Sequence, residues 1–151
     1  MNDERQRIDS EPREKRLSGP SIRVTAKCAD ATTSLSRVKE VMRLIATASD
    51  SGLWPSDDEW LQGLPAWFTG PFQGRTIEQV LQDDSLWDYG SWLDTMRQRG
   101  WRWWGASCHE TYWSVLLLRE EDVYSIEPLV YLARQSGASS LEVTENSVDA
   151  P

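Results

Sequence analysis

Histidine occurs once in this chain of 151 residues and cysteine twice, and no apolar stretch approaches the roughly 18 residues that a membrane span needs. Each scarcity removes a class of function. Zinc takes three or four ligands, usually imidazole or thiolate, and the chain offers His109, Cys28 and Cys108 alone. No metal and no cofactor are expected. The two cysteines allow one disulfide at most and are expected as free thiols in a reducing compartment. The opening MNDERQRIDSEPREKR lacks the apolar stretch of a secretory signal, so the expected location is cytoplasmic, with no membrane contact. Catalytic patterns are missing as well. Ser107-Cys108-His109 puts a nucleophile beside an imidazole, but adjacent residues rarely aim their side chains at each other, and no G-x-S-x-G elbow surrounds them. TGPFQG has no lysine and no strand before it, so it is not a phosphate cradle. The sequence therefore reads as a non-enzyme with no catalytic residues.

Basic residues are the minority: 16 Lys and Arg against 24 Asp and Glu, a net charge of −8. Residues 50 to 94 carry nine acids and one base, Arg75, and so hold the whole excess. Such a block repels nucleic acid and lipid headgroups and attracts basic surfaces. The plainer reading is a solvated helical face that maintains solubility. Arg97, Arg99 and Arg102 form the one local positive cluster, and helix-end placement accounts for two of them. Nucleic acid is not an expected partner.

What the chain does have is an ordinary globular balance, 39% hydrophobic and 26% charged. Residues 1–20 are polar and charge-mixed, and read as a disordered leader. SIRVTAKCA alternates Ile22, Val24 and Ala26 with polar residues, the pattern of a half-buried strand. A helix capped by Thr33 or Ser34 follows, with Leu35, Val38, Val41, Met42 and Ile45 at helical spacing and a stop at Ser51-Gly52. Residues 53–100 read as a broken helical insertion. Ser56-Asp57-Asp58-Glu59 opens one helix as a capping box. LPAWFTGPFQG reads as a rigid aromatic loop, and Thr76-Ile77-Glu78-Gln79 as a second capping box. Ser85 caps a helix with Leu86, Tyr89, Leu93 and Met96 on one face, stopped by Gly100. Trp101–Trp104 and YWSVLLLRE read as a strand hairpin. A helix capped by Ser125 follows, and LEVTE supplies a last strand with Leu141 and Val143 facing in. Without the insertion the order is β-α-β-β-α-β. The expected fold is therefore α+β: a four-stranded antiparallel sheet in ferredoxin-like order, forming one domain over 21–145 with a frayed tail at 146–151.

Nine tryptophans fall between positions 54 and 113. A buried indole removes about 150–250 Å² from water, so most are expected to be structural, about two-thirds of them. The rest can anchor a partner, because a rigid ring gives contact area at little entropic cost. The candidate surface combines these rings with the acidic block: Asp57, Asp58, Glu59, Trp60, Trp67, Asp83, Asp84, Trp87 and Asp88.

The runs WLDTMRQRGWRWW, YWSVLLLRE and YSIEPLVYLARQSGA cover most of residues 92–138. In them the chain resembles the small cytoplasmic immunity proteins that bacteria make against their own polymorphic toxins. That resemblance implies a non-catalytic inhibitor that binds a cognate toxin domain, such as a basic nuclease, and blocks its active site. A second reading is a carbohydrate-binding or carbohydrate-active module. It calls for two or more parallel exposed rings and a carboxylate pair roughly 5–10 Å apart. A third is a structural subunit of a larger assembly.

Overall fold

A computed structural model describes residues 4–10, 19–73, 77–82 and 87–146. Four strands form one sheet: β1 (Ser21–Cys28), β2 (Trp101–Cys108), β3 (Tyr112–Arg119) and β4 (Ala138–Asn146). Their order is β2-β3-β1-β4, with every neighbouring pair antiparallel. The alternation read in β1 is real: Ile22, Val24 and Ala26 have no exposed surface. In register with them, Leu117, Val115 and Trp113 of β3 extend the same buried face. On β4 that register carries Leu141 and Val143. Leu141 is half-buried, while Val143 is 40% exposed, so the buried face thins out toward this edge.

Helix α2 (Ala31–Ser51) packs on the sheet through Leu35, Val38, Val41, Met42 and Ile45, all buried. Its cap is Asp30, whose side chain accepts from the Thr33 amide, rather than Thr33 or Ser34. Asp30 reaches the orphan amides because it stands one residue ahead of the first helical turn. Gly52 ends the helix in the left-handed region at φ 72°, as its lack of a Cβ allows. Helix α7 (Glu127–Gln135) buries Leu129, Leu132 and Ala133 beside it. Its N-cap position is Ile126, which has no side-chain cap, rather than the expected Ser125; Ser125 Oγ stands one residue too early and accepts from the Glu127 amide, at 3.4 Å.

Between α2 and β2 stand α3 (Asp57–Gly63), α4 (Ala66–Gln73), α5 (Ile77–Gln82) and α6 (Tyr89–Arg97). Helix α4 corrects the expected aromatic loop. Pro65 precedes it, and its carbonyl accepts the first amides, from Phe68 at 3.0 Å and Thr69 at 3.1 Å. Phe68 and Phe72, one turn apart, are both buried, and Phe68 meets Trp92 at 4.6 Å between ring centroids. Burial of that aromatic pair favours the helix, while Pro71 withholds an amide only near its end. Helix α6 starts later than expected, with Asp88 as its cap. Thr76, Ser85 and Leu86 lie outside the described residues. At the other end Gly100 has φ +79°, and a Cβ there would come within 2.7 Å of the Val123 carbonyl oxygen. Only glycine fits that turn.

The largest departure concerns the leader. Residues expected to be disordered form helix α1 (Glu4–Asp9), with Ile8 fully buried and Glu4 1% exposed. It packs against α2 and the outer edge of β2. Glu4 Oε2 accepts the Trp103 amide at 2.8 Å, an edge-strand donor that sheet pairing leaves free. Composition scored this segment as polar because its one apolar side chain, Ile8, is outnumbered, yet a single buried face suffices for a two-turn helix held by ion pairs. Residues 11–18 and 147–151 lie outside the described residues.

Candidate functional site

Two helix N-termini meet at one place on the inserted segment. At α3, Ser56 Oγ accepts from the Glu59 amide at 3.2 Å and Glu59 Oε1 accepts from the Ser56 amide at 3.1 Å. These bonds hold the Glu59 carboxyl below the ordinary carboxylate range. At α6, Asp88 Oδ2 accepts from the Ser91 amide at 3.1 Å. A Cβ on Gly90 would lie 3.3 Å from Asp57 Oδ2 and 3.5 Å from Asp88 Oδ2. The two carboxylates thus flank one point. Tyr89 ties the helix ends together by donating its hydroxyl to the Asp57 carbonyl at 3.4 Å. Burial, followed by the fields of Asp57 and Asp58, pushes that phenol up to about 12. Like charges tolerate this proximity because each helix N-terminus carries positive partial charge.

Asp57, Asp58, Glu59 and Asp88 are all exposed, and no described lysine or arginine pairs with them. Trp87 precedes Asp88 and is half-buried. The other expected residues fall elsewhere. Trp60 is 4% exposed and packs on Trp54 with ring centroids 5.0 Å apart, so it belongs to the core and presents no surface. Trp67 is half-buried on α2, where its indole nitrogen donates to Glu40 at 3.2 Å and Arg37 sits over its ring. Asp83 and Asp84 lie outside the described residues.

The remaining indoles are mostly core. Trp92, Trp101, Trp103 and Trp113 are at most 1% exposed. Trp54 and Trp104 are half-buried, with Arg97 over the first and Arg7 over the second. No described tryptophan is fully exposed, so the parallel open rings called for by a carbohydrate platform are absent among the described residues.

A second charged cluster went unread in the sequence. Arg99, 3% exposed, donates to Glu4 at 2.6 Å, to the Met96 carbonyl at 3.0 Å and to Ser49 at 3.2 Å. Burial pushes its guanidinium down from the ordinary value, and Glu4 opposes that push. Arg102 reaches Glu120 at 3.0 Å, Asp50 at 3.2 Å and Glu4 at 3.5 Å. Asp50 is therefore neutralised and does not add to the open acidic surface. The sequence carried one faint sign of this clamp: Glu4 and Ile8, four apart, share a helical face.

What the junction of α3 and α6 offers chemically is negative charge with no described lysine or arginine paired to it, on short side chains at helix N-termini. Among the described residues, no group of three or more His, Cys, Asp or Glu is arranged to hold a metal ion. None of the helices there is long and apolar enough to cross a membrane. No family model, curated protein or solved structure matches the chain.

Proposed function

We propose that this chain is a non-catalytic binding protein, an immunity protein that docks a basic toxin domain on the acidic junction of α3 and α6. The supporting observation is the convergence of Asp57 and Asp88 on one exposed point, with Asp58 and Glu59 in the same helical turn and no described cation among them. Trp87 supplies a half-buried ring beside Asp88. Fixed carboxylates of this kind steer a basic partner and set its register. The same reading takes the body as a ferredoxin-like β-α-β-β-α-β frame, with 53–100 inserted to carry the binding surface. The strand order β2-β3-β1-β4 supports it. A cytoplasmic, reducing setting fits the two free cysteines.

The test asks first whether a gene for a large secreted protein adjoins this one, and then uses co-purification and titration with the C-terminal domain of that neighbour. Asp57→Lys with Asp88→Lys weakens binding by about tenfold or more, mainly through a slower association rate, and wild-type affinity falls as salt rises. Affinity indifferent to both salt and charge reversal overturns the assignment of this surface.

A further inference from the structure

One face of α2 and the turn after β2 border an open groove of about 540 Å³ that shares no residue with the acidic junction. Thr32, Ser36, Lys39 and Arg43 reach it from successive turns of the helix. Leu35, 3% exposed, supplies apolar lining. Cys108 and His109 close the other side, with Cys108 Sγ 3.8 Å from Thr32 Oγ1 and the imidazole stacked on Tyr112 at 4.3 Å. Among the described residues, Glu110 is the one carboxylate of the lining.

Lys39 is the unusual member. Its side chain is buried to 8% exposure, and lysines are almost never buried without a counter-charge. Its ammonium has three donors, and among the described residues one is used, on the Ser10 carbonyl at 3.2 Å. The nearby acid, Asp9, is taken by Arg43. Burial and the field of Arg43 push the Lys39 ammonium down, only partly offset by Asp9 and Cys108. A cation so placed, lining an open groove with two donors unspent among the described residues, is stabilised by an anion that enters and accepts them.

We propose that this groove binds a small organic anion, whose carboxylate or phosphate is received by the Lys39 ammonium and whose apolar body lies against Leu35 and Cys108. The volume falls within the usual range for small-molecule sites, about 300–1,000 Å³. The residues lining the groove are mostly polar but its exposed surface is mainly apolar, and one buried charge beside that surface gives orientation as well as affinity.

The probe is 8-anilinonaphthalene-1-sulfonate, an anion on an apolar body, titrated into the full chain and followed by its fluorescence. Octanoate and phenyl phosphate serve as separate competitors that distinguish a carboxylate from a phosphate site. Binding is expected to saturate. Lys39→Met, which keeps an unbranched side chain one atom shorter and removes the buried charge, weakens it by about tenfold, the scale of one charge-assisted hydrogen bond. Location is read independently by N-ethylmaleimide. Cys28 is 5% exposed and Cys108 half-buried, so Cys108 is the reporter, and its alkylation slows when the probe is bound. Lack of saturable binding, equal affinity in Lys39→Met, or an unchanged rate at Cys108 each overturns the proposal. A matched far-ultraviolet spectrum for the variant establishes that it folds.

Discussion

Glu4 accepts from three donors: the Arg99 guanidinium, the Arg102 guanidinium and the Trp103 amide. Its worth follows from where they lie. Arg99 is 3% exposed, with its Nε already lacking a partner, so a second loss there leaves a charge with little to screen it. Removing one member of a buried ion pair costs about 3–5 kcal/mol, because the other charge stays behind in low dielectric. Glu4→Gln is expected to lower stability by that order, read from the urea midpoint. Pairing Glu4→Leu with Arg99→Met is expected to recover much of the loss, since both charges then leave together. If Glu4→Gln leaves the midpoint unchanged, the clamp contributes nothing and α1 is held by Ile8 and its other contacts, such as Asp9 with Arg43 and Arg7 over Trp104.

At the scale of the element, the helix starts are set by carboxylates. Asp30 caps α2 and Glu59 closes the box at α3, and hydrogen bonds to backbone amides lower the carboxyl of each in the fold. A carboxyl lowered on folding contributes stability above its unfolded value, and that contribution fades as pH falls through the folded value. The window therefore opens near pH 4, where unfolded carboxylates titrate, about 3.9 for Asp and 4.3 for Glu, and extends below it. Both groups are fully solvated, so the effect is a change of slope rather than a collapse. Urea denaturation of Asp30→Asn with Glu59→Gln is expected to fall less steeply than wild type between pH 5 and pH 3. Parallel slopes refute the role given to these caps. Helix α4 makes a different point. Its pattern of Gly, Pro and aromatics predicts a loop by local chemistry, but Phe68 and Phe72 gain more by reaching the core one turn apart than the backbone loses at Pro71.

At the scale of the whole molecule, the buried hydrophobic side chains of the described residues, Leu116 apart, form one cluster, running from Ile8 in α1 through the sheet to Ala138 at the start of β4. A core without an internal seam unfolds as one unit. Tryptophan fluorescence, reporting on the insertion and β2 together, and far-ultraviolet circular dichroism are expected to give coincident urea transitions. Separated midpoints show that the helices between α2 and β2 melt on their own. The sheet is asymmetric at this scale. Its β2 edge is covered by α1, whereas β4 ends the sheet on the other side and carries Glu142 and Glu145, charges that discourage pairing with another strand.

The periodicities of the strands and of α2, the stops at Gly52 and Gly100 and the capping box at Ser56 were all legible in the residues, because each depends on neighbours within a few positions. So was the segregation of charge that placed Asp57, Asp58, Glu59 and Asp88 on one list. Which of those carboxylates converge, and that Asp50 is instead spent on Arg102, required the fold, since the partners are far apart in the chain. The same holds for Trp60 entering the core and for the polar opening segment becoming a helix. Hydrophobic spacing fixes which side of an element is buried, but what meets that side, and so which polar groups lose water and need a counter-charge, is decided only when distant segments come into contact.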